Sequence, residues 1–188
     1  MHSLAEALAS HDPGTRGHSE RAAAYALHMA RVIGLPIEDH EKLRWAALMH
    51  DVGKLTISTG ILQKPGPLTA SEFEVIKRHP NDGMALIEPV RSWLSIYADG
   101  VGQHHERWDG TGYPNGLAGE EISLAARVIA VVDAYEVMTT GRVYQEKISV
   151  ASARAEIVDK SGTQFDPMMA AAFLSIPPTD LSQPALAG

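Results

Sequence analysis

The chain contains no cysteine. Disulfides, thiolate metal sites and a cysteine nucleophile are therefore excluded, and any bound metal must be held by His, Asp and Glu. No apolar run approaches the roughly 18 residues that a membrane-spanning helix needs. The N-terminus shows no basic segment followed by an apolar stretch, so no secretory signal is expected and the expected location is cytoplasmic. Long basic runs are also missing and the formal net charge is -7, which disfavours a groove that tracks a nucleic-acid polymer. A small anionic substrate stays compatible with that charge, because a bound metal adds positive charge that the tally omits.

What is present fits one globular domain. The 188 residues are 45% hydrophobic, enough to bury a core. Helical periodicity dominates. Ala22, Tyr25, Ala26, Met29, Val32 and Ile33 recur at spacings of three and four, the pattern of a helix with one buried face. Gly34-Leu35-Pro36 ends it, and Glu38 to His50 forms the next helix. Lys54 to Leu68 reads as a loop, and Thr69 to Glu72 has the spacing of a capping box that opens a further helix. His79-Pro80 is expected to close that helix, Asn81 or Asp82 to restart one, and Val90 to His105 to form another.

Arg107 to Glu120 is a long glycine-rich loop, of a length usually found in lids and binding loops. Ser123 caps an apolar helix from Leu124 to Thr140, Ser149 caps one from Val150 to Lys160, and Asp166-Pro167 opens the last, to Ile176. The short apolar run Val128 to Val132 belongs to a helix by its flanking caps. The expected fold is all-α, a single compact helical domain of about seven to nine helices with a long Gly-rich loop. Its expected divisions are a lead-in at 1–14, the domain at 15–176 and a tail at 177–188.

The chemistry is carried by histidine and aspartate at helix ends. His50 and Asp51 stand side by side before Gly53, which supplies a helix stop. His18 begins a helix, and His79, His104 and His105 are expected at helix ends. Asp133 lies inside an apolar helix, where a carboxylate is costly unless paired or bound to metal. Imidazole and carboxylate donors suit first-row transition metals. Taken singly, a histidine such as His18 or His79 is more often an ordinary helix-end residue, and Asp133 is equally explained as a satisfied buried carboxylate.

The order of these blocks resembles the HD-GYP domain, a branch of the HD phosphohydrolase superfamily. The matching stretches are Gly17-His18-Ser19-Glu20-Arg21, His50-Asp51-Val52-Gly53-Lys54, Lys77-Arg78-His79-Pro80, His104-His105-Glu106-Arg107-Trp108-Asp109-Gly110-Thr111-Gly112-Tyr113-Pro114, Ala130-Val131-Val132-Asp133-Ala134-Tyr135 and Gly162-Thr163-Gln164-Phe165-Asp166-Pro167. They cover nearly all of 15–175.

The resemblance implies hydrolysis of cyclic di-GMP to the linear dinucleotide or GMP, by a cluster of divalent iron or manganese, with zinc or another first-row metal as an alternative. It implies one ion on His18, His50, Asp51 and Asp133, and a second on His79, His104, His105 and Asp51, with Asp51 bridging. A hydroxide shared by two ions would then attack phosphorus. A third-metal glutamate found in some relatives falls at Gly14 here, so two ions are expected. Lys54 is expected to contact a phosphate oxygen, Tyr113 to stack on guanine, and Glu136 and Arg142 to contact substrate. The resemblance also allows docking of a GGDEF-type cyclase through the Gly-Tyr-Pro loop, and a homodimer is left open.

Three positions depart from the family pattern. Glu136 replaces an aspartate, Val143 a proline and Gln145 a basic residue. They leave two alternatives to cyclic di-GMP hydrolysis: a low-activity cyclic-dinucleotide-sensing or cyclase-docking module, and a phosphodiesterase for another cyclic dinucleotide.

Overall fold

Alanine sets the spacing of the first two helices. A computed structural model describes residues 7, 8, 10–12, 17–141 and 147–181. In it α1 (His18–Val32) buries Ala22, Ala23, Ala26 and Ala30, and α2 (Ile37–Met49) buries Ala46 and Ala47 against it. Small side chains let two helix backbones come close. A tight turn joins the pair, with Gly34 at φ 71°, a left-handed conformation that glycine adopts without a Cβ clash. The two helices therefore run in opposite directions. The start of α1 returns beside the end of α2, and this topology brings His18 to His50.

The chain leaves α2 through Asp51 into a 3-10 turn, Val52–Thr56. Gly53 there presses directly on α4 (His79–Leu86): a Cβ at this position would lie 1.9 Å from the His79 carbonyl oxygen and 2.5 Å from Gly83 N. No other residue type permits that approach, and it places Asp51 next to His79. Between them, the expected loop holds the 3-10 turn and a single helical turn at Thr59–Leu62. The capping box at Thr69 and Glu72 is formed in both directions and opens α3 (Ala70–Ile76).

Two expectations about helix ends are corrected here. His79 does not close a helix; it begins α4, with Pro80 in the first turn. Proline is favoured there, because the N–H it lacks would have no partner. The helix expected from Val90 to His105 is also broken into α5 (Glu88–Leu94), a 3-10 turn at Ser95–Ala98 and α6 (Asp99–Gln103). Ser95 marks the break with φ 54°. His104 and His105 follow α6 directly.

The central element is α7 (Leu124–Thr140), capped by Ser123, whose hydroxyl accepts from Ala126 N. It packs against α1, α6, α8 (Val150–Asp159) and α9 (Pro167–Ser175). Val128, Ile129, Val131 and Val132 are fully buried, as expected for a helix that is apolar on most of its faces. Arg127 on α7 reaches Asp166, the N-cap of α9, at 2.8 Å. Among the described residues there are nine α-helices of five residues or more and no strand beyond an isolated bridge pair. The all-α expectation holds. Within the expected tail, Pro178–Leu181 forms a helical turn and buries Leu181 against the core.

Candidate metal centre

Seven side chains from five segments converge where α1 begins, α2 ends and α4 begins. Asp51 lies between them, 1% exposed, with its two oxygens facing different ways. Oδ1 is 3.3 Å from His79 Nε2 and 3.9 Å from His104 Nε2. Oδ2 is 3.5 Å from His50 Nε2 and 4.0 Å from His18 Nε2. Asp133 joins the second side, its Oδ1 3.1 Å from His18 Nε2 and 3.9 Å from His50 Nε2. One donor atom from each of Asp51, His79, His104 and His105 lies within 4.8 Å of the others, as does one from each of His18, His50 and Asp51.

The rings are oriented from behind. His50, His79 and His104 each turn Nδ1 to the carbonyl three residues earlier, at 2.6 Å (Ala47), 2.7 Å (Ile76) and 2.9 Å (Val101). The carbonyl has only lone pairs, so Nδ1 must carry the proton and Nε2 the lone pair. Yet His79 Nε2 and His104 Nε2 lie 3.1 Å apart, and His18 Nε2 and His50 Nε2 lie 3.4 Å apart. Opposed lone pairs at these separations repel unless a cation or a proton stands between them. With carboxylate oxygens beside them and no sulfur, the donors fit a first-row divalent ion.

Charge in the cluster is set by burial and by the neighbouring groups. Burial alone would push the Asp51 carboxyl up, but Lys54, His50 and His79 outweigh it and hold the group well below the usual carboxylate range. Burial lowers His50, and it lowers His104 strongly, helped by the neighbouring imidazoles of His105, His50 and His79. His105 is pushed down to about 3 by burial and by His79. His18 goes the other way: burial opposes its charge, but hydrogen bonds to Asp133 and Glu136 prevail and raise it to about 9.

The other expected residues are placed as follows. Lys54 is buried with Nζ 2.6 Å from Asp51 Oδ2. Tyr113 stacks on His105, ring centroids 4.8 Å apart and planes 23° apart, with Phe73 edge-on beyond it at 6.4 Å. Glu136, expected to contact substrate, is 2% exposed and turned towards His18 Nδ1 and Arg21. Arg142, Val143, Gln145 and Gly14 lie outside the described residues.

Glu106 follows the two candidate ligands His104 and His105 in the sequence. It is buried, and its two oxygens accept from Asn115 N (2.7 Å) and Leu117 N (3.1 Å). The loop thereby folds back on its own start: Tyr113 N donates to the His105 carbonyl at 3.2 Å, and a Cβ on Gly112 would lie 2.3 Å from Arg107 N. Glu106 therefore sets the loop that lays Tyr113 on His105. A carboxylate directly after two candidate ligands, at the head of a glycine-rich loop, was the available signal.

A buried cluster of five imidazoles and two carboxylates in an all-helical domain defines a class of metal-dependent helical proteins. Comparison makes this specific: the model of the HD domain family matches residues 2–169, and the chain belongs to that family. The HD-GYP resemblance is borne out by its relatives. The chain is 38% identical over 172 residues to the cyclic di-GMP phosphodiesterase response regulator RpfG of Xanthomonas campestris, covering 91% of this chain and 46% of that protein. It is also 38% identical over 177 residues to the 3'3'-cGAMP-specific phosphodiesterase 3 of Vibrio cholerae, covering 91% and 38%. The chain thus spans less than half the length of these curated relatives. Among solved structures, a cyclic GMP-AMP-specific phosphodiesterase of V. cholerae superposes with TM-score 0.72 at 20% identity, covering 96% of this chain and 49% of that one. The HD domain of the L. monocytogenes phosphodiesterase PgpH, in complex with cyclic di-AMP, gives 0.62 at 18% identity, covering 97% and 92%. The helical fold is common to all three.

Proposed function

We propose that the chain is a metal-dependent phosphodiesterase that hydrolyses a cyclic dinucleotide, cyclic di-GMP first, to the linear dinucleotide or GMP. The observation that carries this reading is Asp51, which presents one oxygen to each of two groups of ligand atoms. In the proposal His18, His50, Asp51 and Asp133 hold one ion, and Asp51, His79, His104 and His105 hold a second, each iron or manganese. Bound there, divalent ions supply Lewis-acid neutralisation of charge on the phosphoryl group.

The chain's own residues supply the rest. Asp51 fixes both ligand groups relative to each other. Lys54 carries a buried ammonium that turns from Asp51 to a non-bridging phosphate oxygen when substrate is present, acting as a point charge. Tyr113 has one face against His105. Its other face, with Phe73 beside it, is offered to a purine base, a contact of about 1–3 kcal/mol in nucleic-acid systems.

The substrate is a cyclic dinucleotide as a class. Identity is 38% both to a relative named for cyclic di-GMP and to one named for 3'3'-cGAMP, so similarity does not separate the two. The test is an anaerobic incubation of iron- or manganese-loaded protein with cyclic di-GMP, 3'3'-cGAMP and cyclic di-AMP, products being read by chromatography. Conversion of at least one is expected. Survival of all three over hours would reduce the chain to a binding or docking module.

A further inference from the structure

The histidines of the cluster are braced in two different ways. His50, His79 and His104 lean on neutral backbone carbonyls of their own local turns. His18 instead directs Nδ1 at a carboxylate oxygen of Glu136, 118 positions away in the chain. Glu136 is itself braced. Its other oxygen accepts from Arg21 Nε at 2.7 Å and lies 2.6 Å from Arg21 Nη2. Arg21 sits three residues after His18 on α1, and Glu136 three residues after Asp133 on α7. Residues three apart on a helix share a face. One turn of α7 therefore grips both nitrogens of His18, with Asp133 at Nε2 and Glu136 at Nδ1.

The two kinds of brace differ in their effect on a metal. A carbonyl orients a ring and fixes its tautomer. A carboxylate does so too, and its full charge also pulls on the Nδ1 proton and makes Nε2 a stronger donor. Arg21 holds the second oxygen of Glu136, so the carboxylate cannot swing away from His18.

We propose that Glu136, held by Arg21, is a positioning residue that sets the metal affinity of the His18–His50–Asp51–Asp133 site selectively, leaving the neighbouring site untouched. The inference rests on the two-ion reading of the centre but not on any substrate. It also replaces a nucleotide-contacting role for Glu136.

The test is calorimetric titration of metal-free protein with Mn2+, without nucleotide. In Glu136→Gln, which keeps the shape and loses the charge, one binding step weakens by about 10–100-fold and the other keeps its wild-type affinity. The weakened step is the one that His18→Gln abolishes. Glu136→Asp, which retains charge, recovers part of the loss, and Arg21→Gln weakens the same step less. Circular dichroism and Tm of the metal-free variants check folding. If Glu136→Gln does not fold, Arg21→Gln, altered at a side chain 35% exposed, carries the step-selective test alone. Two wild-type steps in the variants, or equal weakening of both, would overturn the proposal. A raised KM for cyclic dinucleotide with unaltered Mn2+ binding would return Glu136 to the substrate. If wild-type protein cuts no cyclic dinucleotide but the step-selective loss appears, the functional proposal fails and this one stands.

Discussion

His79 Nε2 and His104 Nε2 face each other at 3.1 Å while the far nitrogen of each ring binds a backbone carbonyl one turn earlier. Two lone pairs so opposed, beside Asp51 Oδ1, are the donor arrangement that a divalent cation fits. His18 Nε2 and His50 Nε2 also face each other, at 3.4 Å, but His18 is braced by Glu136 rather than by a carbonyl; Asp51 lies beside both pairs.

Asp51→Ala is expected to empty both ion sites, whereas His79→Ala should lower mainly one. Metal analysis of the purified variants reads this directly. Wild-type metal content in Asp51→Ala would refute the bridging assignment.

Lys54 has two partners at different stages, and its variants should separate them. In metal-free protein, Lys54→Met leaves the Asp51 carboxylate buried without its ammonium, a loss of about 3–5 kcal/mol. Urea unfolding in chelator should show that loss, and added Mn2+ should recover much of it, since metal replaces the missing charge. Turnover of the metal-loaded variant should fall by about 10²-fold with metal content retained.

Gly53→Ala tests the contact that joins Asp51 to α4. A Cβ 1.9 Å from the His79 carbonyl oxygen cannot be accommodated without backbone movement. The expected cost is at the top of the usual overpacking range, about 3 kcal/mol, with loss of metal because Asp51 and His79 separate. A variant with wild-type Tm and metal content would contradict the packing.

Metal binding should rise with pH at one site. In metal-free protein His18 is raised from 6.5 to about 9. The stability its imidazolium adds is fully present below the unfolded value and is lost as pH rises through about 9. An ion at His18 Nε2 must displace that proton. Affinity there should therefore increase between pH 6.5 and 9 by up to about tenfold per unit for one proton. Titrations in buffers of different ionisation enthalpy should count one proton released, and His18→Gln should remove this dependence.

Glu106→Ala should loosen the glycine-rich loop. Two backbone N–H groups lose a buried carboxylate acceptor, at about 1.5–3 kcal/mol for each charged hydrogen bond. Hydrogen exchange at Asn115 and Leu117 should accelerate while α1 and α7 stay protected. Slow exchange throughout would mean that the loop is held by other contacts.

The sequence by itself determined the all-α class, the capped helix starts and the donor types available to a metal. Ser123, Ser149 and Asp166 cap where their types predict, because capping is a local hydrogen bond between a side chain and the next backbone amides. The absence of cysteine restricted any metal to imidazole and carboxylate before any distance was known. The tertiary structure decided what those local signals cannot carry. His79 lies next to Asp51 because Gly53 docks on its carbonyl, a contact remote in sequence. Glu136 turns inward because His18 and Arg21 meet it from another helix. Asp51 serves two ligand groups only because α1 and α2 run in opposite directions and α4 starts beside them. Residue types fix which atoms can donate; only packing between distant segments fixes where those atoms meet.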